Sequence, residues 1–140
     1  FQVDGDRLTV KPEFSAVTSF ELGDITNAAY MSALPKSDLV FAQNVLFHLP
    51  RPVAKEAFKN LVSVLRPGGA LFVNGMDTDM RMKLTKDYGL EPVAERIAEI
   101  HEDARSNLGS NWAHTYWGRE PFKKSGDWVR KYCTIYLKQS

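Results

Sequence analysis

Residues 37–50 read SDLVFAQNVLFHLP, and the way this stretch breaks decides the fold. Leu39-Val40-Phe41 is a short apolar run without alternation, the signature of a strand buried on both faces. Ala42-Gln43-Asn44 then interrupts it with polar groups, before Val45-Leu46-Phe47 and a lone His48. Downstream, PVAKEAFKNLVSVL at residues 52–65 spaces Val53, Ala57, Leu61 and Leu65 four apart, with Phe58 and Val62 alongside. That spacing predicts an amphipathic helix with proline in its first turn. Arg66-Pro67-Gly68-Gly69 reads as the turn that ends it, and Ala70-Leu71-Phe72-Val73 as the next apolar strand. Strand, helix, turn and strand in that order make a βαβ unit, so an α/β fold with parallel pairing and a right-handed crossover is expected.

Working outward, FQVDGDRLTV at residues 1–10 predicts a hairpin turning at Asp4-Gly5-Asp6. VTSFEL at residues 17–22 alternates and stops at Gly23-Asp24, which predicts a strand ending in a polar loop. Beyond Asn74, a short helix is expected over residues 77–86 and a clearer one over residues 91–108, with Val93, Ile97, Ile100 and Ala104 on one face. Residues 110–122 gather Trp112, Tyr116, Trp117 and Phe122 among Gly and Asn and read as an aromatic lid or hairpin; residues 133–138 read as a closing strand.

Composition sets the outer limits. The chain has 140 residues, enough for one domain with a core of its own, and residues 1–140 are read as a single domain or part of a catalytic one. An apolar fraction of 44%, a charged fraction of 25% and a net charge of +1 argue against disorder and against a nucleic-acid footprint. No apolar run approaches the ~18 residues of a membrane span, so no membrane partner is expected. Cys133, the single cysteine, fits a reducing compartment and makes the cytoplasm the expected location. Phe1 is not an initiator methionine, which suggests a fragment or a processed product. No metal-ligating set is assigned.

In open α/β sheets, ligands bind outside the carboxyl ends of the strands. Two such ends carry polar residues: Gly23-Asp24-Ile25, and Ala42-Gln43-Asn44 running on to His48. Asp24 can accept from an exocyclic amine while Ile25 offers an apolar face to a ring, a pairing suited to adenine. Each residue also has a plainer reading. Asp24 serves equally as a turn or cap residue, Asn44 as a loop residue bonded to backbone, and His48 as a half-buried cap on the helix that follows. Arg81, Arg105 and Arg119 read as solvated surface charge or as anion contacts.

Phe20 followed four positions later by Asp24-Ile25, then DLVFAQNVLFHL, a helix and LRPGGALFV, resembles the second half of a class I S-adenosylmethionine-dependent methyltransferase. More narrowly, it is similar to the CheR family of chemotaxis-receptor glutamate methyltransferases, which carry a segment like DLIFCRNVLIYF, then a helix and an L-K-P-G-G turn. The resemblance runs over residues 17–73 and implies the C-terminal part of a Rossmann-like domain: a mostly parallel sheet closed by an antiparallel strand. It implies S-adenosylmethionine as cofactor, held by Asp24 and Ile25 at the adenine and by Ala42, Gln43 and Asn44 beside the sulfonium. His48 falls near the methyl-acceptor site, where it could hold or deprotonate an acceptor.

Departures bear on the acceptor. The family's Arg before Asn is Gln43 here, which removes a fixed positive charge and weakens the case for a receptor glutamate. The family's G-H-S-E becomes Asn74-Gly75-Met76-Asp77. Its first strands and its glycine-rich loop, which holds the methionine part of the cofactor, have no counterpart, so this chain by itself is expected to bind cofactor weakly. The expected function is methyl transfer to a protein carboxylate or a small molecule, with a non-catalytic interaction module as the alternative. Unpaired strand edges also leave room for self-association.

Overall fold

The computed structural model describes residues 1–108, 124 and 126–139. Strand β1 (Gln2–Asp4) pairs antiparallel with β2 (Arg7–Thr9), Asp4 opposite Arg7. Gly5 takes a φ of +56°, as the first central position of a tight hairpin turn demands. The hairpin is the expected one, yet every residue in it is exposed, and the short helix α1 (Pro12–Ser15) buries nothing.

The strand expected over residues 17–22 is not formed. That stretch is irregular, with Phe20 and Leu22 96% and 99% exposed. An extended segment leaves its N–H and C=O groups unpaired unless a neighbouring strand takes them. Among the described residues none does. Order resumes at α2 (Ala28–Ala33), where the Asn27 side chain accepts from the Tyr30 amide at 3.1 Å.

The βαβ unit is as expected. Strand β3 (Ser37–Ala42) and strand β4 (Leu65–Val73) run parallel, with Leu39 opposite Ala70 and Ala42 opposite Val73. Helix α3 (Arg51–Val64) joins them and buries Ala54, Ala57, Phe58, Leu61 and Val62, which places Ala54 rather than the 37% exposed Val53 on the core stripe. The Arg66-Pro67-Gly68-Gly69 segment is not a free turn. The chain passes straight from α3 into β4, and the register slips between Ser37 and Leu39 so that these residues bulge. Gly68 takes a φ of +78°, and a Cβ on Gly69 would lie 2.9 Å from the Asp38 carbonyl oxygen. Arg66 is paired with Asp38 across the bulge at 3.0 Å.

Helix α4 (Thr78–Asp87) is capped by Asp77, which accepts from the Met80 amide at 2.9 Å. Residues 91–92, expected at the head of a helix, lie instead in strand β5 (Leu90–Pro92), and helix α5 (Ile97–Leu108) starts later. Pro92 disfavours a helical residue before it, and a paired strand is available. That partner is β6 (Ile135–Lys138), reached through helix α6 (Trp128–Tyr132). Residues 110–122 lie outside the described residues.

The sheet order is β3-β4-β6-β5. Three strands share one direction, and β6, the last in sequence, runs against both its neighbours, so the sheet is mixed and its final strand is antiparallel as expected, though it sits between β4 and β5. One reversed strand placed inside a sheet makes two antiparallel ladders. Leu71, Val73, Tyr136, Leu90 and Phe58 meet in the core, whereas Leu39 and Phe41 stay exposed, Phe41 stacked on Phe72 at 4.4 Å. The Lys138 ammonium donates to the carbonyls of Val62 and Leu65 at 3.1 and 3.0 Å, closing the C-terminal end of α3.

Candidate functional site

The carboxyl ends of β3 and β4 form one structure. Ala42 is buried opposite Val73 and ends β3. Gln43 and Asn44 then turn outward, exposed, and Asn44 takes a φ of +54°, the left-handed region that L residues enter at a cost. Its amide donates to the Asn74 side-chain oxygen at 2.8 Å. Gly75 has a φ of +59° and lies so close that a Cβ would stand 2.8 Å from Phe47 Cδ1 and 2.9 Å from Asn44 Cα. The two strand ends are therefore in contact, and they leave polar peptide groups where the sheet stops.

A 3₁₀ turn, Leu46–His48, follows. Leu46 anchors it in the core, while His48 is exposed and lies against the Phe47 ring at 3.8 Å between centroids. Helix α3 has Pro50 as N-cap and no side-chain cap, so the reading of His48 as a half-buried helix cap is not what the structure shows. Arg51, the first residue of α3, pairs with Asp77 at 2.8 Å and ties this end of the helix to the cap of α4.

Asp24 and Ile25 lie elsewhere. The Asp24 carboxylate accepts from the Thr26 hydroxyl at 2.7 Å and the Thr26 amide at 2.8 Å. Those two donors, the hydroxyl first, hold its carboxyl below the usual carboxylate range. The Ile25 carbonyl accepts from the Asn60 side chain at 2.9 Å. Asn60 is nine residues into α3 from Arg51, or about 13 Å along the helix. No hydrogen bond joins the Asp24 loop to Asn44.

Arg81 is neither solvated charge nor an open anion contact: it is buried and donates to the Lys131 carbonyl at 2.8 Å, fastening α4 to α6. Arg130 donates to the Leu90 carbonyl at 2.6 Å and does the same for β5. A cavity of about 450 Å³ opens between α5 and β6, lined by Val93, Ile97, Ile100, His101, Tyr132 and Ile135. Burial lowers the His101 pKa and pushes the Cys133 thiol up, so both favour their neutral forms. Among the described residues no group of three or more His, Cys, Asp or Glu side chains gathers as a metal site, and no helix is long and apolar enough to cross a membrane.

Asn74 and Gly75 are the residues that reading the sequence for a site passed over. Their signal is a polar Asn-Gly pair directly after an apolar strand. The family model for the CheR methyltransferase SAM-binding domain matches residues 1–93. This chain belongs to the CheR family. The match covers β3, α3, β4 and α4, and S-adenosylmethionine is the cofactor of the CheR domain to which they belong. The CheR-family chain is also similar to the "Probable biofilm formation methyltransferase WspC" of Pseudomonas aeruginosa, 27% identical over 101 residues. That alignment covers 67% of this chain and 23% of WspC, so the chain spans about a quarter of its relative's length. No solved structure matches.

The β3–β4 end offers exposed peptide groups in a fixed, non-extended conformation, as a small-molecule wall needs. The Asp24 carboxylate already has two donors from Thr26.

Proposed function

We propose that this chain is the C-terminal part of a Rossmann-like methyltransferase domain and that the β3–β4 end lines S-adenosylmethionine. The observation that carries the reading is the junction of Gln43-Asn44 with Asn74-Gly75 at the carboxyl ends of two parallel strands, inside a segment matching a SAM-binding domain. Ala42, Gln43 and Asn44 would stand beside the sulfonium, with Ile25 and Asp24 at the adenine. Both Thr26 donors fall on Asp24 Oδ1, so Oδ2 keeps its capacity to accept from an exocyclic amine.

When bound, the cofactor supplies a methyl group on a positively charged sulfur that a nucleophile displaces directly. Such a reaction asks the protein mainly to align donor and acceptor. The chain's own contribution is a wall held by the Asn44 amide, with His48 exposed one 3₁₀ turn further on, where its imidazole can hold or deprotonate an acceptor. A protein carboxylate or a small molecule would be the acceptor, and Gln43 in place of a cation weakens the case for the carboxylate. A cytoplasmic setting goes with the single, buried Cys133. The second reading, an interaction module that binds without catalysis, is favoured by the exposed Leu39 and Phe41 on the outer strand.

The test is His48→Asn in the natural protein that carries this sequence. Turnover should fall by about tenfold or more while cofactor affinity stays nearly unchanged, the mark of a group acting at the reacting centre. Unchanged turnover removes His48 from the chemistry. A large loss of cofactor affinity moves it to the cofactor side.

A further inference from the structure

We infer that Asn74 is a positioning residue: its side-chain oxygen replaces the missing rung of the β3–β4 ladder and fixes the left-handed peptide that forms the cofactor wall. The role rests on the function proposed above. Parallel pairing is regular from Leu39 opposite Ala70 to Ala42 opposite Val73 and then stops. Past that point, Asn44 swings to a φ of +54° and Gly75 to +59°, so neither backbone continues the ladder. The Asn44 amide would be left without a strand partner, and it takes the Asn74 oxygen at 2.8 Å instead. A half-buried side-chain amide thus does what a main-chain carbonyl did one pair earlier.

The neighbours reinforce it. A side chain at Gly75 would collide with Phe47 Cδ1 at 2.8 Å and with Asn44 Cα at 2.9 Å, so the glycine lets the two strand ends approach closely enough for the bond. Asn44 is the one non-glycine residue at positive φ among the described residues, and a conformation of that kind persists where its surroundings over-determine it. Held by this latch, the Gln43–Asn44 peptide cannot swing back to carry β3 on past Ala42, and the wall is ready before a ligand arrives.

The experiment compares Asn74→Ala and Asn74→Asp. Amide hydrogen exchange at Asn44 reads the latch directly, the Leu71 amide in mid-sheet reports whether the fold survives, and calorimetry on the natural protein reads S-adenosylmethionine affinity. In the alanine variant, Asn44 exchange should rise about tenfold and affinity fall about tenfold, with Leu71 exchange unmoved. Aspartate keeps an acceptor oxygen in place and should restore both to within about twofold. Unchanged Asn44 exchange in the alanine variant overturns the latch. Faster exchange with unchanged affinity overturns its positioning role while leaving the cofactor reading intact. If the natural protein binds no S-adenosylmethionine at all, the function proposed above fails and the role fails with it, and the exchange result separates that failure from the absence of a latch.

Discussion

Residues 1–22 and residues 37–73 both carry strand-like apolar runs, and the two regions end in opposite states. In the first, Val3, Leu8, Val17, Phe20 and Leu22 are all exposed. In the second, Leu65, Leu71 and Val73 are buried against the Ala57, Phe58 and Leu61 face of α3. Local sequence does not separate them, since VTSFEL is as good a strand former as LVFA. The difference is the partner: β3 has β4 at its side and a helix over it, and residues 17–22 have neither. A strand is a relation between segments, whereas an amphipathic helix announces its buried face in its own periodicity.

The largest effect expected from this contrast is at the aromatic residues. Phe58→Ala removes a fully buried ring and should destabilise the chain by about 4 kcal/mol in denaturant unfolding. Phe20→Ala, at a ring that is 96% exposed, should cost less than about 0.5 kcal/mol. Comparable losses at both would mean that the N-terminal segment packs, and the contrast would be broken.

Tyr136, in the strand that completes the sheet, gives the next largest. Burial pushes its phenol up to about 12 from 10.0, so the folded state keeps the proton after the unfolded chain has released it. Stability is then full below pH 10 and drops as the pH climbs from 10 to 12, by up to about 3 kcal/mol. Tyr136→Phe should abolish that alkaline loss while costing about 1–2 kcal/mol at neutral pH, since the one hydroxyl proton is shared between the Cys133 and Arg130 carbonyls at 2.8 and 3.1 Å. An unaltered alkaline slope in the variant would assign the loss to other groups.

A third comparison holds the backbone conformation constant. Gly5 and Gly75 have φ of +56° and +59°, but the first faces open space and the second faces Phe47 and Asn44. Gly5→Ala should cost about 1 kcal/mol for the left-handed backbone, and Gly75→Ala about 2–3 kcal/mol because crowding is added. Equal losses in thermal melts would place the β3–β4 end in a looser arrangement.

The smallest effect is at Asp24. Its carboxyl is held below 3.8 by the Thr26 hydroxyl and then the Thr26 amide. A depressed carboxyl contributes stability above its unfolded value and loses it as the pH falls through the folded one. Thr26→Val should bring the Asp24 titration, followed by NMR, up towards 3.8 with little change in unfolding. An unmoved titration would mean that the loop is not closed on Thr26.

Much of the centre was legible in the sequence. Helix α3 was readable within a residue at each end because Ala57, Phe58, Leu61 and Val62 repeat with the helical period. The short helix expected over residues 77–86 lies at Thr78–Asp87, with Asp77 as its cap. LRPGG misled because proline and glycine signal a turn, whereas here they let an extended chain bulge beside β3. Within the candidate site, the polar break at Ala42-Gln43-Asn44 was visible. Its partner was not, because the Asn44–Asn74 bond spans 30 residues and no local pattern encodes it. Asp24 was visible as polar punctuation after residues 17–22, and its loop is closed by Thr26 two residues on.

Lys138 bears on the order in which the molecule is made. Its ammonium caps the Leu65 carbonyl from 73 residues downstream, and synthesis at roughly 5–20 residues per second puts roughly 4–15 s between the two. Throughout that interval α3 and β4 exist on the growing chain with β4's second edge bare, since β6 arrives with Lys138. A bare hydrophobic strand edge at a ribosome is a target for chaperones and for neighbouring nascent chains. The middle of the sheet is thus assembled early and sealed late, by residues translated well after it.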